Sequence, residues 1–144
     1  MTPEESTTPD LVELVRQGFF STGGRDFDGW MSLFAADAVW DTSQAGVGTF
    51  EGAAAIRSFA EDWAAAYDEW EAEWEEVQDL GNRVVFGVNR QDARLAGSKS
   101  KVRERYGLTL TFNAAGLIVR LDANQDIDAA RAAAERLAEE RADA

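Results

Sequence analysis

Gly81-Asn82 lies just before a run of alternating apolar residues, and it constrains the fold more than any other feature of this chain. Gly-Asn is a two-residue hairpin signal. The residues that follow, Val84-Val85-Phe86-Gly87-Val88, are strand-like, being rich in branched and aromatic side chains. A hairpin also needs a strand before its turn. The preceding segment is ambiguous on its own. Trp63, Tyr67, Trp70, Trp74 and Val77 fit a heptad, which would carry one helix on to residue 79. Trp70, Ala72 and Trp74 equally share one face of a strand. The turn favours the strand, so the pattern predicts a helix ending near Tyr67–Glu69 and a strand over 70–79.

Two more strands are expected at 100–113 and 116–125, joined by Asn113-Ala114-Ala115-Gly116. Alternation assigns their faces. Val84, Phe86 and Val88 share one side, with Arg83, Gly87, Asn89 and Gln91 opposite. Val102, Tyr106, Leu108, Leu110 and Phe112 oppose Arg103, Arg105, Thr109 and Thr111. Leu117, Val119, Leu121 and Ala123 oppose Arg120, Asp122 and Asn124. The sheet thus reads as apolar on one face and polar on the other, covered on one side.

Upstream of the sheet the pattern is helical. Thr8-Pro9-Asp10 is a helix start, followed by Leu11, Leu14, Val15 and Phe19 at helical spacing. Gly23-Gly24 stops that helix and Asp26 can cap a second, carrying Phe27, Trp30, Met31 and Phe34. Residues 38–41 read as a short strand. A third helix starts after Gly52, with Ile56, Phe59, Ala60, Trp63 and Tyr67 as its apolar stripe. Asp126 caps a final Ala-rich helix with pairs such as Arg131–Glu135 and Arg136–Glu140. Residues 1–7 read as a flexible terminus and 8–141 as one domain.

Composition removes several chemistries. The 144 residues contain no Cys and no His. That excludes disulfides, thiolate nucleophiles, Ser-His-Asp triads and HExxH metal sites. No EF-hand spacing occurs either, and no cofactor or metal is expected. A net charge of −13 disfavours nucleic acid. No apolar run approaches the ~20 residues of a membrane span, and the N-terminus lacks the basic and apolar regions of a signal peptide. A cytoplasmic location is the expectation.

Proton chemistry then rests on Asp, Glu, Tyr or two lysines. Asp41 ends the apolar run Ala38-Val39-Trp40-Asp41 and is the first candidate base, its pKa expected to be raised by apolar surroundings. Arg90, Asp92, Glu104 and Gln125 fall on the expected apolar sheet face, either at solvated strand ends or lining a cavity. In the cavity reading Arg90 partners Asp41, Glu104 is a second carboxylate and Tyr106 donates to an oxyanion. The wall is expected from Trp30, Phe34, Phe59 and Trp63 on the helical side. Phe86, Val88, Leu108, Leu110 and Leu121 would supply the sheet side, along with Tyr106. The Trp-rich segment reads first as core packing.

Several segments together carry a family resemblance: Leu33-Phe34-Ala35-Ala36-Asp37-Ala38-Val39-Trp40-Asp41, Phe50-Glu51-Gly52, Ala55-Ile56, Gly81-Asn82-Arg83-Val84-Val85 and Gly116-Leu117-Ile118-Val119. Over residues 9–138 the chain resembles the SnoaL-like branch of the nuclear transport factor 2-like superfamily. That group includes ketosteroid isomerase, polyketide cyclases and limonene epoxide hydrolase. The resemblance implies an α+β fold: a cone-shaped, curved antiparallel sheet packed on three N-terminal helices, a cystatin-like roll, with a C-terminal helix. It implies a pocket for a small apolar ligand or substrate, and a homodimer formed through the outer sheet face with Asn89, Gln91, Arg103, Arg105, Thr109 and Thr111. Asp41 falls where ketosteroid isomerase keeps its base. The positions of that enzyme's oxyanion pair carry Gly18 and Leu108. Arg90 and Asp92 match the first pair of the epoxide hydrolase pattern, whose later Asp falls near Ala123. Two function classes remain: an isomerase, cyclase or hydrolase using a carboxylate base, and a non-catalytic hydrophobic-ligand-binding or dimerisation module.

Overall fold

The computed structural model describes residues 10–18, 27–43 and 47–142. The expected helix start at Thr8-Pro9, Phe19, the Gly23-Gly24 stop, the Asp26 cap and the flexible terminus lie outside these residues. Two helices come first, α1 (Leu11–Gly18) and the short α2 (Phe27–Met31). Next come β1 (Phe34–Asp41), β2 (Thr49–Glu51) and α3 (Ala53–Ala65). The long strands β3 (Tyr67–Gly81), β4 (Val84–Leu95) and β5 (Lys101–Phe112) follow. The chain closes with β6 (Ile118–Asn124) and α4 (Ile127–Ala142). The expected strand over 70–79 is present. Phe34, expected as the last helical position of the second helix, instead begins β1.

One six-stranded sheet has the order β2-β1-β6-β5-β4-β3. All neighbours are antiparallel except β1 and β6. The β3–β4 turn residues are Asn82 and Arg83, both with positive φ (56° and 64°). Two positive-φ residues in a two-residue loop match the right-handed twist of the flanking strands. Residue 81 also lies at positive φ, 87°, a conformation glycine adopts without cost. The hairpin signal was therefore real, with its loop one residue further on.

The facing of β4 corrects the alternation reading. Directly paired residues share a face, and the register pairs Val85 with Leu110, Gly87 with Leu108 and Asn89 with Tyr106. The odd-numbered residues of β4 therefore face α1–α3. Phe86 and Val88 face the other way and pack with Ala130 and Ala134 of α4. Both faces of β4 are covered here, and every residue from Val84 to Asn89 is buried. Apolar count alone cannot choose a face in such a strand.

Two glycines make both coverings possible. A Cβ on Gly87 would lie 2.6 Å from the Trp74 ring, which occupies the inner face. A Cβ on Gly107 would lie 2.6 Å from the Ala130 Cβ, on the outer face. Small residues at both points let a ring and a helix approach the sheet closely. Asp126 caps α4, its Oδ1 accepting from the Ala129 amide at 3.0 Å. Arg131 does not act only within its helix: it reaches Glu76 of β3 at 2.5 Å and lies over the Phe86 ring.

The outer face is therefore not one open polar surface. Thr109 and Thr111 are buried, while Asn89 and Gln91 face inward. What remains exposed is an ion-paired lattice: Arg90 with Glu73, Arg103 with Asp92, and Arg105 with Glu75. Of the six residues expected to pair two copies, only Arg103 and Arg105 are exposed on the outer face.

Gly107→Ala should push α4 off the sheet and cost about 1–3 kcal/mol. Urea unfolding measures it; a wild-type midpoint would mean that α4 does not sit on Gly107.

Candidate functional site

Between the inner sheet face and the helices lies a cavity of ≈ 50 Å³, partly open to solvent. Its wall is aromatic. Trp30 comes from α2, Trp40 from β1, Phe59 and Trp63 from α3, Trp70 from β3 and Tyr106 from β5. Leu108, Ala123, Ala60, Ala64, Val47, Thr42 and Gln91 complete the lining. Burial of the helix stripe at Ile56, Ala60 and Ala64 presses α3 onto the sheet and directs Phe59 and Trp63 beside the cavity. The rings contact one another at an angle: Trp30–Trp70 at 6.0 Å, Trp40–Phe59 at 5.5 Å and Phe59–Trp63 at 5.9 Å between centroids.

Five sequence-predicted wall residues line the cavity: Trp30, Phe59, Trp63, Tyr106 and Leu108. Phe34, Leu110 and Leu121 are buried in the same core but do not reach the cavity. Phe86 and Val88 are on the far side of the sheet under α4. Trp40, Trp70 and Gln91 also line the cavity and were not expected there, nor were the smaller Thr42, Val47, Ala60, Ala64 and Ala123. Trp40 carried a usable signal, since it alternates with Asp41 along the strand. If the ring points into the core, the carboxylate must point away.

Asp41 does point away. It pairs in register with Asp122, opposite Trp40 and Leu121, and is not part of the cavity wall. Its Oδ1 accepts from the Ser43 amide at 2.9 Å, the Ser43 hydroxyl at 2.5 Å and Thr49 at 3.1 Å. Its Oδ2 accepts from Arg120 at 2.9 Å. The Ser43 hydrogen bonds, then Thr49 and Arg120, hold its pKa below the ordinary value, against a smaller opposing effect of burial. That is the reverse of the expected shift, because donors surround the carboxylate instead of hydrocarbon. Its neighbour Asp122 is pushed upward, first by burial, despite its contact with Arg120. Arg90 is also off the site: it lies on the outer face between Glu73 at 2.6 Å and Asp92 at 3.3 Å. It does not meet Asp41, whose arginine partner is Arg120.

Tyr106 and Glu104 are brought together. The Tyr106 hydroxyl donates to Glu104 Oε2, which also accepts from Gln125 at 3.2 Å. Burial, followed by the contact with Glu104, drives the Tyr106 pKa well above its usual range, so the phenol stays protonated. A second polar chain runs from the wall into the sheet. Trp70 Nε1 donates to Gln91 Oε1 at 3.1 Å, and Gln91 Nε2 donates to Asn89 Oδ1 at 3.2 Å. An indole can only donate, so it fixes the orientation of both amides in turn. Among the described residues the fully buried Asn89 is left with an unpartnered Nδ2. No group of three or more acidic residues placed to hold a metal ion occurs among the described residues. No helix among them is long and apolar enough to cross a membrane.

Comparison with known proteins places this geometry. A model of the SnoaL-like domain matches residues 15–121. No curated protein matches the chain. Among solved structures, TerC crystallised with polyporic acid aligns with TM-score 0.69 at 17% identity, covering 87% of this chain and 98% of that one. RV0760c from Mycobacterium tuberculosis, in complex with estradiol-17beta-hemisuccinate, aligns with TM-score 0.68 at 21% identity, covering 83% and 97%. A ketosteroid isomerase-like protein from Catenulispora acidiphila, in complex with trimethylamine, aligns with TM-score 0.65 at 16% identity, covering 81% and 85%. At these identities the likeness is one of fold.

Asp41→Asn should lower stability at neutral pH by about 1 kcal/mol through lost charge-assisted hydrogen bonds. A folded pKa below the ordinary 3.8 means that the contribution is present above that value and is lost as pH falls through the depressed one. The gap between the two proteins in urea unfolding should therefore close below about pH 4. A gap that widens on acidification contradicts this assignment.

Proposed function

The chain belongs to the SnoaL-like domain family, and from that premise we propose that its function is to bind a small, largely apolar molecule in the aromatic cavity. The supporting observation is the wall itself: six aromatic rings, with polar groups confined to Thr42, Gln91 and Tyr106. Concave, mainly apolar sites with a few placed polar groups are the usual form of a small-molecule pocket. A cavity of ≈ 50 Å³ has room for about four water-sized groups, so a larger ligand must extend through the open side. Proteins of this fold are crystallised with molecules as unlike as trimethylamine and a steroid ester. That range agrees with a common binding frame whose lining sets the choice of ligand.

One contact favours a second reading, proton transfer to or from the bound molecule. Glu104 accepts from Tyr106, and Tyr106 lines the cavity. On this reading Glu104, expected as a second carboxylate, takes the role of base that strand-end position and the family resemblance gave to Asp41. The one phenol proton of Tyr106 goes to Glu104, so Tyr106 positions the Glu104 carboxylate that accepts the proton. The two readings differ in one respect: binding requires the rings, and chemistry requires Glu104 as well.

p-Cresol, an aromatic probe that would enter by one end and extend through the open side, should raise Tm by several degrees at concentrations well above its Kd. Ala64→Phe, which fills the cavity from α3, should abolish that rise. A rise of equal size in the filled variant would place the binding elsewhere and end this reading.

A further inference from the structure

We propose that the cavity selects an organic cation without N–H donors, a quaternary or fully alkylated ammonium head; this rests on the pocket reading above. Three features of the wall support it. The first is the choice of residue. Four of the five tryptophans in the chain line this one cavity, with Phe59 and Tyr106 beside them. Leucine, isoleucine and valine exclude water equally well, yet the aliphatic share of the wall is Leu108, Val47 and three alanines. What aromatic rings add is a negative face, strongest for tryptophan, which attracts a cation within about 6 Å of the ring centroid.

The second feature is the arrangement of rings. They come from five different elements, and three pairs meet at steep angles: 56° for Trp30–Trp70, 77° for Trp40–Phe59 and 52° for Phe59–Trp63. Trp30 and Trp40 lie at 33°, and Trp40 and Phe59 each lose one face to a stacked neighbour, Phe34 and Phe50. Rings stacked flat on one another hide their faces. Tilted rings around a cavity turn some of their faces towards it. Its volume of ≈ 50 Å³ suits a head of about four non-hydrogen atoms, the number in a trimethylammonium group.

The third feature is electrostatic. No charged side chain lines the cavity among the described residues, so no lysine or arginine repels a cation there. The Tyr106 hydroxyl donates to Glu104, on the same strand face, which places a carboxylate in contact with one wall residue. The same contacts disfavour other ligands. The hydroxyls of Thr42 and Tyr106 already donate to the Gly48 carbonyl and to Glu104. A carboxylate or phosphate would therefore meet ring faces and engaged hydroxyls. A primary ammonium carries three donors that need acceptors, and the Gln91 carbonyl oxygen is already used by Trp70. An alkylated ammonium has no such demand and is less strongly hydrated than a primary one, so it loses less on entering the cavity.

The test uses an isosteric pair, choline and 3,3-dimethylbutan-1-ol, which differ only by N⁺ in place of carbon. Calorimetric titration of the full chain should give choline at least tenfold tighter binding than the alcohol. Trp63→Leu, at a half-buried position, keeps an apolar wall but removes one ring. It should weaken choline several-fold and leave the alcohol nearly unchanged. Equal or tighter binding of the alcohol overturns cation selection. So does binding of p-cresol with none of choline, an outcome that leaves the general pocket reading standing. Absence of binding by all three defeats both. The wild-type comparison needs no variant, so a misfolded Trp63→Leu would not rescue the proposal.

Discussion

Everything in this structure depends on the close approach of Trp74 and α4 to opposite faces of the β4–β5 pair. Gly87 lets the ring down on one side and Gly107 lets Ala130 down on the other. With both faces covered, the middle of the sheet is core throughout, and Phe86, Phe112 and Leu110 are among its most buried side chains. That fixed middle sets where the sheet can leave space. On the inner face beyond Asn89, α2 and α3 supply rings that do not fill the volume, and the cavity results.

The elements were legible in the sequence because local signals agreed. The turn at residues 81–83 needed positive φ, the strands alternated, and Asp126 stood ready to cap α4. Five wall residues of the cavity were legible for the same reason, since Phe59 and Trp63 share a helix face and Tyr106 and Leu108 share a strand face. The facing of β4 was not legible. Its residues Val84 to Val88 are apolar on both parities apart from Gly87, and only the partner across each face distinguishes them. That single ambiguity moved Phe86, Val88, Arg90 and Asp92 to the wrong side, and with them the arginine expected beside Asp41. Asp41 itself was misread for a different reason. Strand-end position was given weight, while the bulk of Trp40 next to it, which decides the facing, was not.

The electrostatics follow from the same facing. Carboxylates on the outer side meet arginines and hydroxyls, and Asp41, Glu75, Glu76 and Asp92 all have lowered pKa values through such hydrogen bonds. The inner side carries few ionisable groups, and the phenols there are pushed upward, Tyr106 by burial and Glu104, Tyr67 by burial first. The chain thus separates an ion-paired outer surface from an inner space built of ring faces.

The tryptophans allow the central claim to be read directly. Trp30, Trp40, Trp63 and Trp70 line the cavity, whereas Trp74 sits over Gly87 and is not part of the wall. In a two-dimensional nitrogen–proton spectrum each indole N–H gives its own signal. Titration with p-cresol should move the four cavity indoles and leave the Trp74 signal in place. A titration that moves Trp74 alone, or perturbs only backbone amides around Asp41 and Arg120, would contradict the account by placing the binding site elsewhere on the protein.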